Sequence, residues 1–121
     1  MTQAWCVRNE TRGTVLAERA TIAASPLARA RGLLGRRELP PGDGLIIRPC
    51  NSVHSFFMAF PIDVIYVDRE REVLAITREL RPNRIGPIVW RAHDVVEVPA
   101  GTAQATATQV GDRLALNPAE Q

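Results

Sequence analysis

The sequence has no lysine: all fifteen of its basic residues are arginine. That choice carries little functional weight, although arginine forks onto carboxylates and phosphates and stacks on rings as lysine does not. Cysteine is scarce. Two residues exclude a small fold stapled by disulfides. Aromatic residues make up only 5% and are not interleaved with the basic ones, which argues against a nucleic-acid reader built on stacking platforms. No apolar run is long enough to cross a bilayer. Trp5 is followed closely by Arg8, Glu10 and Arg12, so the opening residues do not read as a secretory leader. A cytoplasmic protein without membrane insertion is the expectation. Internal repeats and low-complexity stretches are absent. Gly32-Leu33-Leu34-Gly35 and Gly42-Asp43-Gly44 lack the spacing, the lysine and the strand-to-helix context of a phosphate-binding loop.

What is present describes one domain spanning residues 1–121. A chain of 121 residues, 45% hydrophobic and 23% charged, can build a single modest core. The net charge of +2 is unevenly spread, with eight arginines against four acids in residues 1–48 and seven against nine in 49–121. Arg29, Arg31, Arg36 and Arg37 crowd one short stretch. A solvated helix end is the plainer explanation, and an anion or nucleic-acid patch the sharper one.

Turn residues recur at short intervals, which predicts a mainly β domain. Strands are expected over 4–8, 14–22, 44–48, 53–60, 62–68, 72–79, 94–98 and 113–116. Residues 88–90 form a further short apolar run. Ile62–Asp68 carries the strongest signal, being dense in β-branched and aromatic residues. Ser25-Pro26 reads as an N-cap followed by proline at the first helical position. The helix would run to about Leu34 and stop at Gly35, burying Leu27, Ala30, Leu33 and Leu34. Arg29 would then face solvent, while Arg31 could reach inward. A second short helix is expected within 102–109, and a frayed tail over 117–121. Consecutive short strands without βαβ alternation imply a compact antiparallel β barrel or sandwich with one or two short helices.

Several side chains could carry chemistry. Cys50, His54 and Met58 are spaced C-x3-H-x3-M, and all three are soft or borderline ligands for copper or zinc. On a strand, however, four residues span roughly 13 Å, too far for one ion. Cys50 and His54 could instead be a nucleophile and its base, oriented by Asp63, Asp94 or Glu97. A buried thiol beside a hydrogen-bonded histidine is the plainer alternative. Cys6 reads as core. Asp63 interrupts an apolar strand and must be paired, hydrogen-bonded or placed at a rim. An arginine, Arg31 or Arg48, is the expected partner, and an acid lining a pocket is the alternative. Glu97, between valines, poses the same question. His93 reads as a surface or turn residue.

A set of motifs occurs in order: Arg31-Gly32-Leu33-Leu34-Gly35-Arg36, Gly44-Leu45-Ile46-Ile47, Val53-His54-Ser55-Phe56-Phe57-Met58, Pro61-Ile62-Asp63-Val64-Ile65-Tyr66-Val67-Asp68, Val95-Val96-Glu97-Val98-Pro99-Ala100-Gly101 and Gly111-Asp112-Arg113-Leu114. Over residues 12–116 the chain resembles the uncharacterised prokaryotic family called domain of unknown function 192. The resemblance implies a single mainly β domain with short helices, and it supplies no catalytic residues. Many members read Phe-Trp-Met-Lys-Asn-Thr in the central segment. This chain has Phe56-Phe57-Met58-Ala59-Phe60 there, without the lysine and asparagine, which turns attention to Cys50, His54 and Asp63.

The first expectation is therefore a non-enzymatic module that binds a small molecule or a protein. Its pocket would gather Arg31, Cys50, His54, Met58, Asp63 and Glu97. A small enzyme, a hydrolase using Cys50 and His54 or Asp63, comes second. A soft-metal site at Cys50 and His54 comes third, and nucleic-acid binding last. No cofactor is expected, and the chain could be a monomer or a weak homodimer.

Overall fold

The computed structural model describes residues 3–120. Seven strands form one sheet: β1 (Trp5–Asn9), β2 (Thr14–Ala23), β3 (Asp43–Ile47), β4 (Ile62–Val67), β5 (Val73–Leu80), β6 (Asp94–Pro99) and β7 (Leu114–Pro118). Two short helices, α1 (Pro26–Arg31) and α2 (Thr102–Ala105), lie in its connections. The strand order is β5-β4-β6-β3-β2-β1-β7. The sheet curls into a half-barrel until its two edges touch. Leu114 N–H donates to Arg71 O and Val73 N–H to Asp112 O, and Glu72 bridges Arg113 beside them.

Every pair is antiparallel except one. β2 and β3 run parallel, with Ala23 opposite Ile47, so the sheet is mixed rather than wholly antiparallel. Parallel neighbours need a crossover, and residues 24–42, carrying α1, supply it. α1 follows the C-terminal end of β2 directly, and the parallel pairing of Ala23 with Ile47 puts it beside the C-terminal end of β3 as well.

Strand alternation splits the apolar residues into two cores. Inside the curl, Val7, Leu16, Ile46, Ile65, Val67, Val73, Val96, Val98 and Leu114 bring all seven strands together. On the outer face, Leu45, Ile47, Ile62, Val64, Tyr66 and Val95 form a second core under α1 and two long loops. The loops are antiparallel to each other. Residues 48–61 run from the end of β3 to the start of β4 and residues 81–93 return from β5 to β6. Gly86 N–H donates to Val53 O, Ser55 N–H to Arg84 O and Val89 N–H to Asn51 O, which stitches the two loops side by side.

Residues 53–60 are thus not the expected strand. Val53, His54 and Ser55 alternate buried, exposed and buried, but Phe57 takes a left-handed φ of 65° and Met58 N–H turns back to Ser55 O. The turn breaks the period, so Met58 is buried on the side of Val53 rather than exposed with His54. Residues 88–90 form no strand either; Ile88 and Trp90 are exposed.

α1 is shorter than expected. Ser25 Oγ accepts from Ala28 N–H at its start, and Gly32, at φ 48°, ends it three residues before Gly35. The earlier stop changes the buried face: Ala28 packs on the outer core, while Leu27 and Ala30 are exposed. It also exchanges the arginines, leaving Arg29 half-buried and Arg31 exposed. α2 stops at Ala105, where Thr106 turns its hydroxyl onto Thr102 O. Asn117 and Pro118, expected within a frayed tail, pair with β1, and Ala119 N–H donates to Ala4 O. Gln121 lies outside the described residues.

A cleft with a buried acid at its floor

Glu97 sits at the middle of β6. Its cross-strand neighbours are Leu45 on β3 and Val64 on β4, both apolar. Alternation points Val96 and Val98 into the curl and Glu97 onto the outer face, beneath α1 and the first long loop. Only 3% of the residue is exposed. Among the described residues its carboxyl receives no hydrogen bond and no ion pair, and burial alone pushes its pKa up to about 7.

The acid faces a cleft of about 140 Å³. α1 and the residues after it form one wall, residues 49–58 the other. Leu33, Leu34, Ile47, Val53 and Met58 supply the apolar part of a mixed lining. Arg29 and Arg31 stand at the α1 side. Arg29 Nη1 donates to Pro49 O at 3.2 Å, tying the two walls together, while its buried Nε has no partner. Five of the six residues singled out in the sequence, Arg31, Cys50, His54, Met58 and Glu97, do line this one cleft.

Asp63 does not. It lies 1% exposed and meets no arginine. Its carboxylate accepts from Glu79 N–H at 2.9 Å, Gly101 N–H at 3.1 Å and Ala103 N–H at 2.8 Å. Three backbone donors satisfy the charge, so the ion pair expected from sequence is not needed. The acid fastens the end of β5, where Glu79 has a φ of 51°, to the first turn of α2. Arg48 instead holds Asp94, Nη2 to Oδ2 at 2.7 Å, and Asp94 also meets His93 Nδ1 at 2.6 Å. His93 lies half-buried in the bend that leads into β6.

Cys50 and His54 share the cleft without forming a catalytic pair. Cys50 Sγ donates to Ser52 O at 3.1 Å, and His54 Nδ1 accepts from Phe56 N–H at 3.3 Å. Burial raises the Cys50 pKa, helped by the nearby Glu97 charge, against smaller lowering effects of the Ser52 backbone and the Arg29 charge. The thiol is therefore a poor nucleophile at neutral pH. Among the described residues no three His, Cys, Asp or Glu side chains are placed to hold a metal ion together. Arg29 is the cleft residue that the sequence hid. The signal was Gly32, which ends the helix early and turns Arg29 inward.

A small half-barrel with one such cleft defines the class. The chain matches, over residues 7–116, the model of the family DUF192, an uncharacterized ACR, and it belongs to that family. The match begins ahead of residue 12 and takes in the last three residues of β1. A UPF0127 protein of Pyrococcus abyssi is 35% identical over 112 residues, covering 88% of this chain and 92% of its own. One of Thermococcus sibiricus is 33% identical over 114 residues, covering 88% and 71%. A protein of unknown function from Novosphingobium aromaticivorans, solved as a crystal structure, has a TM-score of 0.79 at 25% identity, over 93% of this chain and 83% of that one. No helix among the described residues is long and apolar enough to cross a membrane.

Proposed function

We propose that the protein is a binding module whose cleft takes a small molecule with a cationic or hydrogen-bond-donating inner end, an apolar body and an anionic outer end. One observation carries this reading: the carboxyl of Glu97 lies on the floor of an open cleft without a protein donor. A buried acid left unpaired is costly, and a donor from a ligand removes that cost. The apolar walls suit a short hydrocarbon body, and Arg29 and Arg31 offer an anion its partners. The reading requires no cofactor.

A second reading has its own observation. A carboxyl titrating at about 7 can exchange a proton at neutral pH, as a general acid or base must. Neither the Cys50 thiol nor Asp63 is free to assist it, so binding stands first.

The test is titration with 6-aminohexanoate, followed by amide chemical shifts, beside hexanoate and hexylamine, which each lack one end. A Kd on the order of a millimolar is expected for the first, and weaker binding for the other two. Glu97→Gln should abolish the preference for the amine. Equal shifts from all three, or none around the cleft, would refute the assignment.

A further inference from the structure

The chain segregates charge and exposed apolar surface onto the same layer. Residues 24–37, 48–61 and 81–93 together cover the outer face of the sheet. They hold eight arginines and none of the thirteen acidic residues, whereas the rest of the chain holds seven arginines and all thirteen acids. Arg48 is spent on Asp94 and Arg91 reaches Asp68 Oδ2 at 3.9 Å, while Arg31, Arg36, Arg37, Arg81, Arg84 and Arg91 are all exposed. The same three segments hold six of the eight exposed large apolar side chains. Phe57 is 88% exposed, Trp90 81% and Ile85 72%.

These side chains are held outward. Phe57 tops a turn in left-handed backbone, pinned by its N–H to Asn83 Oδ1 at 3.2 Å. Ile85 is fixed opposite His54 by a β-bridge, and Trp90 by the turn in which Ala92 N–H donates to Val89 O. Loops that carry aromatic and aliphatic side chains into water, themselves rich in arginine and holding no acid, complement a surface that is anionic outside and apolar beneath.

We propose that this face docks on an anionic lipid bilayer. Trp90, Phe57 and Ile85 enter the headgroup boundary, where amphipathic rings are at home, and Arg84 and Arg91 beside them meet the lipid phosphates. Nucleic acid would use the arginines and rings but would gain nothing from Ile85, Ile88 and Leu27. Docking is superficial and requires no spanning helix. None of Trp90, Phe57, Arg84 and Arg91 lines the cleft, so this inference stands or falls apart from the ligand reading.

The experiment is co-sedimentation of the full chain with vesicles of phosphatidylcholine alone and of phosphatidylcholine mixed equally with phosphatidylglycerol. Binding is expected to the mixed vesicles only and to fall as salt is added. In a Trp5→Phe background the emission of Trp90 should shift to the blue on binding. The pair Phe57→Ser with Trp90→Ser, and separately Arg84→Glu with Arg91→Glu, should each weaken partition about tenfold or more with unchanged far-ultraviolet circular dichroism. Equal binding to both vesicles, variants that bind like the parent, or retention by an oligonucleotide or polyglutamate but not by vesicles would overturn it.

Discussion

Replacing Glu97 with glutamine tests the burial argument quantitatively. The folded pKa of about 7 stands above an ordinary value of 4.5, so the native state holds a proton that the unfolded chain gives up. A raised acid favours the folded state least when it must ionise. Stability contributed by the protonated form is fully present below pH 4.5 and is lost as pH rises towards 7. The difference corresponds to roughly 3 kcal/mol once both states are ionised. Glutamine has nearly the same shape and no charge to bury. Urea denaturation of both proteins between pH 5 and 8.5 should show near-equal stability at the acid end. Glu97→Gln should then become more stable by about 2–3 kcal/mol at the alkaline end. Curves that stay parallel across the range would show that the carboxyl is already satisfied, and would refute the reasoning.

Three further outcomes follow from the geometry. Asp63→Ala should cost about 2–4 kcal/mol in urea denaturation, because it removes the acceptor of three N–H donors, of which that of Ala103 is buried, and Asp63→Asn should cost less. A loss below about 1 kcal/mol for the alanine variant would contradict the fastening role. At Gly86 a Cβ would stand 2.9 Å from the Tyr66 hydroxyl and 3.2 Å from Val53 O, so Gly86→Ala should destabilise by about 1–3 kcal/mol; neutral behaviour would mean the two loops are not packed as described. Alkylation of Cys50 by iodoacetamide, followed against pH, should show a midpoint above the ordinary thiol value of 9.0, and one well below it would revive the nucleophile.

Much of the sheet was legible because its strands obey local rules. Ile62–Val67 combines β-branched residues with a place paired on both sides, between β5 and β6, and observed and expected bounds differ by one residue. The segment over 53–60 was not legible, although its alternation is strand-like through Phe56. Its course is decided by hydrogen bonds to residues 83–89, far away in sequence, and by a turn at Phe57 that no glycine announces. The parallel pairing of β2 with β3 was hidden for a similar reason, since the crossover that permits it is mostly irregular chain.

The site divides along the same line. Glu97 between valines signalled a buried acid, and period two places it on the face opposite Val96 and Val98. Asp63 gave the same signal with a different outcome. Which acid finds backbone donors depends on the neighbouring turn at Gly101, and nothing in the residues around Asp63 encodes that contact. Asp112 shows a third solution. Burial would raise its pKa, but hydrogen bonds from Arg12, Asn9 and Gln109 N–H, with the Arg12 charge, hold it below the ordinary value. Of these three buried acids, Glu97 alone lacks a donor, and it is the one that faces the cleft.

The most direct measurement is the titration of the Glu97 side-chain carboxyl by carbon-13 NMR, with and without 6-aminohexanoate. The free protein should titrate at about 7, and the bound amine should draw the midpoint down towards the ordinary value of 4.5. A free midpoint already near 4.5, or one that the amine leaves unmoved while it binds, would contradict the account of a floor acid waiting for its donor.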